Sequence, residues 1–312
     1  MKVGSLFSGI GGIDLGFQRA GFDVVWANEK DSAACRTYCH NFGKEYLIER
    51  DIYDIDFTML PKIDVLVAGF PCQSFSVGGK QKGFDDARGQ LFFEVVRAVE
   101  ALSPSIVFLE NVENLMDHDG GKTFQVIYSS LAELGYMFRY KPMATHEYAN
   151  IPQSRRRIYI VAFRDYQKCQ HFVFPDPIEL TVYAGDLLDT QLEQHEIYYY
   201  RSHSQFDEYI RQNVSEMGRF YRVFNGRITY STQRKCPTLT ASMTSPRNAV
   251  TIKDNWGVRR LTLKEALRFQ GFPPDYYFPK TIQLSDAYKQ IGNSVSVPII
   301  ERIAKQIAKE LR

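Results

Sequence analysis

Cysteine is scarce. The 312-residue chain has five (Cys35, Cys39, Cys72, Cys169, Cys236), an odd number without paired spacing. That excludes a disulfide framework and fits reduced thiols of a cytosolic protein. Cys35, Cys39 and His40 lack a second ligand pair, so small side chains one helical turn apart explain them better than a metal site, and no metal is expected. No apolar run reaches the roughly 18–20 residues that span a bilayer. Glycine breaks the N-terminal Met1-Lys2-Val3-Gly4-Ser5 too early for a secretion signal, so no membrane partner is expected. Repeats and low-complexity tracts are lacking as well.

Net charge is also small, +2, but it is unevenly spread. Residues 201–260 carry eleven Lys/Arg against four Asp/Glu, a local +7 that leaves −5 for the rest of the chain. Such a basic stretch can face phosphates, although a solvated surface gives the same count.

The first 165 residues alternate short apolar runs with helix-like segments. Candidate strands are Lys2–Phe7, Asp23–Ala27, Val65–Ala68, Ile106–Leu109 and Ile158–Phe163; candidate helices are Gly12–Ala20, Asp31–Phe42, Gln90–Leu102 and Thr123–Leu134. This order predicts an α/β fold, a doubly wound and mostly parallel sheet with helices on both faces. Ligands of such sheets gather at the carboxyl ends of strands. Residues 176–255 are rich in Tyr, Arg, Thr, Ser and Asn with poor helical periodicity, and strand-like Arg227–Ser231 and Ala249–Lys253 suggest a smaller, irregular, β-rich domain. Helical patterns return at Thr262–Gln270 and Ser296–Leu311.

Phe7-Ser8-Gly9-Ile10-Gly11-Gly12 follows the first strand and opens a helix, where glycines let a ligand approach the backbone closely. Glu29 ends the second strand, 20 residues after Gly9, where a carboxylate can accept ribose hydroxyls. Asp14 occupies the position where a nicotinamide site needs glycine or alanine, and no basic cluster follows to neutralise a pyrophosphate. A nucleoside without phosphates fits better, and S-adenosylmethionine is the commonest such cofactor on this fold. Asp51, with Ile52 beside it, suits an adenine amino group and ring, or equally a helix N-cap.

Three further segments fall at strand ends. Gly69-Phe70-Pro71-Cys72-Gln73 puts a cysteine on a Pro-bearing loop, where its thiolate is a soft nucleophile. The glycine-rich Val77–Phe84 follows it and can close over a substrate. Glu110-Asn111-Val112 ends the adjacent strand, over the same crevice as Cys72. Gln153-Ser154-Arg155-Arg156-Arg157 precedes the next strand, and Arg155 and Arg157 share a side if extended.

In this order Phe7–Gly16, Glu29, Asp51, Pro71-Cys72-Gln73, Glu110-Asn111-Val112 and Gln153-x-Arg155-x-Arg157 resemble the motif series of DNA (cytosine-5) methyltransferases. Arg259-Arg260-Leu261-Thr262 through Gln270-Gly271-Phe272-Pro273 resembles the ninth motif, and Gln290–Val295 the tenth. The resemblance covers nearly all the chain except 176–235 and is closest to the compact bacterial enzymes of restriction–modification systems. It implies a methyltransferase fold whose cofactor-binding and catalytic domain spans 1–180 plus 293–312, a target-recognition domain at 181–262 and a hinge at 263–292. The expected location is the bacterial cytoplasm, at the nucleoid, and the expected state a monomer, with a restriction endonuclease as functional partner.

The resemblance implies that Cys72 attacks C6 of a flipped-out cytosine and that Glu110 partners N3, which calls for a carboxyl that carries a proton near neutral pH. Arg157 is implied to contact the base O2, and Arg155 to hold the site together. S-adenosylmethionine is the implied cofactor and S-adenosylhomocysteine its product, with Phe7, Ile10, Gly11, Glu29, Asp51, Ile52, Pro71, Leu91, Asn293 and Ser294 as contacts. Lys30 stands where relatives often have a tryptophan on adenine, and only its alkyl stem can cover the ring. Double-stranded DNA is the implied substrate. Gln73, Ser76, Lys80 and Lys82 would lie near the flipped base and its phosphates, while Arg227, Arg234 and Thr238 belong to the recognition segment. An NAD- or flavin-linked oxidoreductase explains only the glycine turn and Glu29. A catalytically silent DNA binder is expected to lack Cys72 or Glu110, and both are present. A transfer-RNA substrate fits the ample recognition segment less well than duplex DNA.

Overall fold

The computed structural model describes residues 1–71, 90–230 and 235–312. These form β1 (Lys2–Leu6), α1 (Gly12–Arg19), β2 (Asp23–Glu29), α2 (Ser32–Phe42), β3 (Leu47–Glu49) and β4 (Val65–Ala68). Next come α3 (Gln90–Leu102), β5 (Ile106–Val112), α4 (Lys122–Glu133), β6 (Met137–Ala144), α5 (Thr145–Tyr148), β7 (Arg156–Phe163) and α6 (Tyr166–His171). The remainder contributes α7 (Gln205–Asn213), β8 (Tyr221–Phe224), β9 (Arg227–Tyr230), β10 (Val250–Asp254), β11 (Gly257–Arg260), α8 (Leu263–Gln270), α9 (Leu284–Asn293) and α10 (Val297–Glu310). Among the described residues no helix is long and apolar enough to cross a membrane.

The chain divides into two compact units, one of residues 1–143, 156–176 and 299–312, the other of 144–155 and 177–298. The catalytic domain expected from the sequence was continuous from 1 to 180, whereas here 144–155 cluster with the second unit.

In the first unit the strands order as β3-β2-β1-β4-β5-β7-β6. β1 is parallel to β2 and β4, β2 to β3, and β4 to β5; β7 alone is shown antiparallel, against β5. The purely apolar runs β4 and the start of β5 are fully buried, as strands covered on both faces must be. A core of Leu6, Trp26, Leu66, Phe92, Val99, Leu109 and Ile160, among others, fills the space between sheet and helices. Chain order reverses between β1 and β4, so the loops after these two strands open at the switch point where such sheets bind ligands.

The second unit has an antiparallel sheet, β11-β10-β8-β9, around Tyr200, Ile210, Val214, Tyr221, Val223 and Val258. Its helix α7 was not expected from the sequence; Ser204 caps it by accepting from the Asp207 N–H. Arg259 is completely buried and meets Asp254 Oδ2 at 2.6 Å and both oxygens of Glu265 at 2.7 and 2.8 Å. Glu265 also closes a capping box with Thr262 at the start of α8.

Gly292 on α9 packs against the chain at Thr240. A Cβ there would lie 2.1 Å from the Thr240 carbonyl carbon and 2.2 Å from the Ala241 nitrogen, and backbone cannot yield as a side chain can. Gly292→Ala therefore lowers stability by about 3 kcal/mol through overpacking, despite alanine's better helix propensity. Urea unfolding of the variant checks this, and a gain in stability would refute the close approach.

Candidate active site

The loop after β1 turns by three left-handed residues, Phe7 (φ 54°), Gly9 (φ 55°) and Gly11 (φ 77°). A Cβ on Gly9 would meet nothing within 4 Å, so glycine serves the backbone angle there and leaves the loop's face open. Gly9 N–H donates to Glu29 Oε2 at 2.9 Å, while the N–H groups of Lys30 and Asp31 donate to Oε1, each at 2.8 Å. Two donors occupy Oε1, which leaves the freer acceptor capacity of this carboxylate on Oε2. Ile10 is buried, and Phe7 packs partly buried against the core.

Of the two roles that the sequence left open to Asp51, the structure shows the N-cap. Its Oδ1 caps the short 3₁₀ turn Ile52–Asp54 by accepting from Tyr53 N–H, and its Oδ2 lies 3.0 Å from Lys30 Nζ. Burial opposes its ionisation, but Lys30 and the N–H groups of Tyr53 and Ile52 outweigh it and hold the carboxyl below its usual range. Lys30 thus lies stretched between Glu29 and Asp51, its ammonium engaged. Ile52 is buried in the core at 2 % exposure. Its carbonyl and that of Ile55 accept from Arg97 at 2.8 and 2.7 Å, and Arg97 pairs with Glu94 at 2.5 Å. This anchor was not foreseen; the only sequence signal is the Glu94/Arg97 spacing on α3.

On the other side of the switch point, β5 carries Glu110 two residues before its carboxyl end. Antiparallel pairing sets Val112 opposite Arg157 and Glu110 opposite Tyr159, so Glu110 and Arg157 are diagonal neighbours on one face. Arg157 Nε lies 3.3 Å from Glu110 Oε1, with both side chains largely buried. Asn111 ties the neighbouring strand end, its Nδ2 donating to Phe70 O at 3.1 Å. A Cβ on Gly69 would sit 3.7 Å from Glu110 Oε2, which places the Gly69-Phe70-Pro71 turn beside this carboxylate. Pro71 is exposed and Leu91 half-buried at the start of α3.

Arg155 departs from the expected alternation, because β7 begins at Arg156. It belongs to the second unit, where its guanidinium donates to the carbonyls of Leu239 (3.1 Å), Gly292 (3.3 Å) and Ser294. Asn293 and Ser294 end α9 in that unit. Thr238 donates its hydroxyl to Ser154 O at 3.0 Å, and Arg227 is exposed on β9. Cys72, Gln73, Ser76, Lys80, Lys82 and Arg234 lie outside the described residues. Burial pushes up the thiols of the four described cysteines, Cys35 to about 12 with Glu49 and Glu29 adding to it, and Cys39, Cys169 and Cys236 likewise. None of these four is a ready thiolate.

The family described as C-5 cytosine-specific DNA methylase matches residues 1–309. The chain belongs to that family. This DNA cytosine-5 methyltransferase is 42 % identical over 315 residues to the Type II methyltransferase M.Bsp6I of Bacillus sp. (strain RFL6), covering 100 % of the chain and 99 % of that protein. It is 37 % identical to the Type II methyltransferase M.HhaI of Haemophilus parahaemolyticus, over 98 % of the chain and 94 % of the relative. Two solved structures share the methyltransferase's fold. The Entamoeba histolytica methyltransferase EhMeth has a TM-score of 0.78 at 19 % identity, covering 100 % and 99 % of the two chains. A putative DNA modification methyltransferase encoded within an E. coli prophage has a TM-score of 0.73 at 22 % identity, covering 100 % and 99 %. The sheet with a separate small antiparallel sheet agrees with the fold class expected from the sequence.

Beneath the glycine loop of the methylase, Asp14 is fully buried. Ser5 Oγ donates to its Oδ1 at 2.6 Å and Tyr38 OH to its Oδ2 at 2.8 Å, so one carboxylate ties β1, α1 and α2 together. Burial raises its pKa from 3.8 to about 6, with both hydroxyls working against the rise. Between these values the folded state binds the extra proton, so stability falls as pH rises through that window. Asp14→Asn removes this titration. Compared by urea unfolding, the variant gains on the wild type by up to about 3 kcal/mol between roughly pH 3.5 and 7; a difference independent of pH would exclude Asp14 as the titrating group.

Proposed function

We propose that the enzyme transfers a methyl group from S-adenosylmethionine to C5 of a cytosine flipped out of a specific duplex DNA sequence, through a transient bond between Cys72 Sγ and C6. Cytosine C5 is a poor nucleophile, and thiolate addition at C6 makes it enamine-like. The observation that carries this reading is the Glu110–Arg157 pair at the end of β5, beside the turn that leads to residue 72. Glu110 shares a proton with N3 as charge reaches the ring, and Arg157, fixed against Glu110, orients the base through O2. Gln153 and Arg155 brace neighbouring backbone: Gln153 Nε2 donates to Phe269 O at 2.6 Å, and Arg155 holds its three carbonyls. After methylation, water removes the C5 proton, the Cys72–C6 bond breaks, and the thiolate is restored.

The residues fit the cofactor. The open face at Gly9, the freer Oε2 of Glu29 for a ribose hydroxyl, and Asp51 for the adenine amino group make a cradle for a nucleoside without phosphates. Bound there, S-adenosylmethionine supplies an electrophilic methyl group and departs as S-adenosylhomocysteine. Ile10 and Gly11 shape the turn, and Phe7, Ile52, Pro71, Leu91, Asn293 and Ser294 complete the proposed set. Flipping costs roughly a few kcal/mol of unstacking, for which Gln73, Ser76, Lys80 and Lys82 are the proposed loop contacts and Arg227, Arg234 and Thr238 the proposed recognition contacts. The domain assignment follows the proposed roles, with 1–180 plus 293–312 catalytic, 181–262 for recognition and 263–292 as hinge. We further place the enzyme in the bacterial cytoplasm at the nucleoid, as a monomer with a partner restriction endonuclease.

Duplexes carrying 5-fluorocytosine at the target, incubated with enzyme and cofactor, become covalently attached to the wild type and stay free with Cys72→Ser. Bisulfite sequencing of plasmid from cells expressing Cys72→Ser shows no 5-methylcytosine, and Glu110→Gln lowers kcat by about a hundredfold or more. Normal methylation by Cys72→Ser, or trapping on structured RNA and not on DNA, would overturn the proposal.

A further inference from the structure

A glycine-rich turn has little means of fixing its own shape, because glycine brings no side chain to pack and gives up the most conformational freedom on folding. The loop between β1 and α1 is fixed where it begins. Ser8 N–H donates to Asn28 O at 3.0 Å, which carries the pairing of β1 with β2 past Leu6, and Gly11 N–H returns to Ser8 O at 2.8 Å. These bonds set how the loop leaves the sheet. They do not set where the two helices beside it stand. Yet Gly9 N–H, from the loop, and Asp31 N–H, at the head of α2, must converge on the single carboxylate of Glu29.

Asp14 supplies that placement. It lies in the first turn of α1, and Ser5 and Tyr38, which donate to its two oxygens, are buried with it. Residues 5 and 14 flank the loop, so the Ser5 bond closes its base. The Tyr38 bond brings α2 onto the same carboxylate. The Tyr38 ring lies against that of Phe42, one turn further along α2, with centroids 4.7 Å apart. Phe42 in turn abuts the loop, since a Cβ on Gly11 would fall 2.3 Å from its Cε2. Helix α2 thus meets the loop twice, at Gly11 through Phe42 and at Gly9 through Glu29. As a source of stability alone a buried carboxylate is a poor choice, because an apolar side chain packs without the cost of desolvation. What it adds is direction: two oxygens that receive two hydroxyls at fixed distances.

We infer that Asp14 and Tyr38 are positioning residues of the cofactor site, whose hydrogen bond holds α2 against the glycine loop so that Gly9, Gly11 and Glu29 keep their mutual geometry before a ligand arrives. The inference rests on S-adenosylmethionine being the cofactor. Both side chains are buried beneath the loop and act on a ligand only through the backbone that they hold. Their loss therefore weakens cofactor and product alike. Such uniform binding appears in KM for the cofactor and not in kcat.

Calorimetric titration with S-adenosylhomocysteine, without DNA, reads this affinity apart from turnover. Tyr38→Phe keeps the ring against Phe42 and removes only the hydroxyl. It weakens binding about tenfold, the size of one hydrogen bond to a charged group. KM for S-adenosylmethionine rises by the same factor, while kcat at saturating cofactor and KM for the duplex stay as in the wild type. Asp14→Asn, with one acceptor oxygen in place of two, shows the same split. The double variant loses no more than the larger single loss, because both changes act through one bond. Ser5→Ala, the mildest change, tests the base of the loop in the same titration and weakens binding severalfold. A general folding defect would instead lower the number of binding sites and leave Kd alone. Unchanged Kd in these variants, or losses that add in the double variant, overturns the positioning role while the wild type still binds. A wild type that does not bind S-adenosylhomocysteine overturns the cofactor reading itself.

Discussion

The antiparallel pairing of β7 with β5 is the constraint on which the site depends. Were β7 parallel like β1, β2 and β4, its first residues would lie at the opposite edge of the sheet from Glu110. Reversal brings Arg157 to the carboxyl end of β5, and the register sets it diagonally across from Glu110, within reach of a long side chain. A largely buried carboxylate is costly unless paired or well hydrogen-bonded. The guanidinium offsets that cost and fixes the carboxylate's direction, so position and charge come from one backbone decision.

Much of this was legible in the sequence where a single strand or turn decides the outcome. β4 falls at Val65–Ala68 as read, because four consecutive apolar residues between turn signals have no other home than the centre of a covered sheet. Glu29 was legible from its spacing to Gly9. Its three backbone donors were not, since they depend on how the loop and the start of α2 fold around it. The direction of β7 was equally hidden, as a strand's apolar pattern is the same whichever way it runs. β6 escaped because it forms the sheet's edge and mixes Arg139 and Lys141 with Phe138 and Tyr140. α7 escaped because only Phe206, Tyr209 and Ile210 are apolar in its nine residues, and its definition comes from the Ser204 cap.

Charge illustrates the same limit from another side. Arg259 and Arg260 read in sequence as part of a basic surface, yet Arg259 is buried without any exposure. Burial alone would favour its neutral form, but Glu265 and then Asp254 more than reverse this and strengthen its hold on the proton. Removing Arg259 would leave two buried carboxylates uncompensated. The cluster is consequently a framework for β10, β11 and α8, and it withdraws Asp254 and Glu265 from the surface as well. Sequence arithmetic sums charges; folding decides which of them a partner can feel.

The cofactor loop shows how a departure from a family pattern can be absorbed locally. Lys30 occupies a position where an aromatic ring often stacks on adenine, and an ammonium is a poor substitute for such a ring. Here the ammonium is drawn to Asp51, which extends the alkyl stem across the gap between Glu29 and the Asp51 turn. That turn is independently fixed by Arg97 on the carbonyls of Ile52 and Ile55. Asp51 therefore keeps its position without leaning on adenine, while its negative charge is partly answered before any ligand arrives. In the adenine site proposed above, the Lys30 stem would provide apolar cover and Asp51 a hydrogen-bond acceptor whose direction the N-cap already sets.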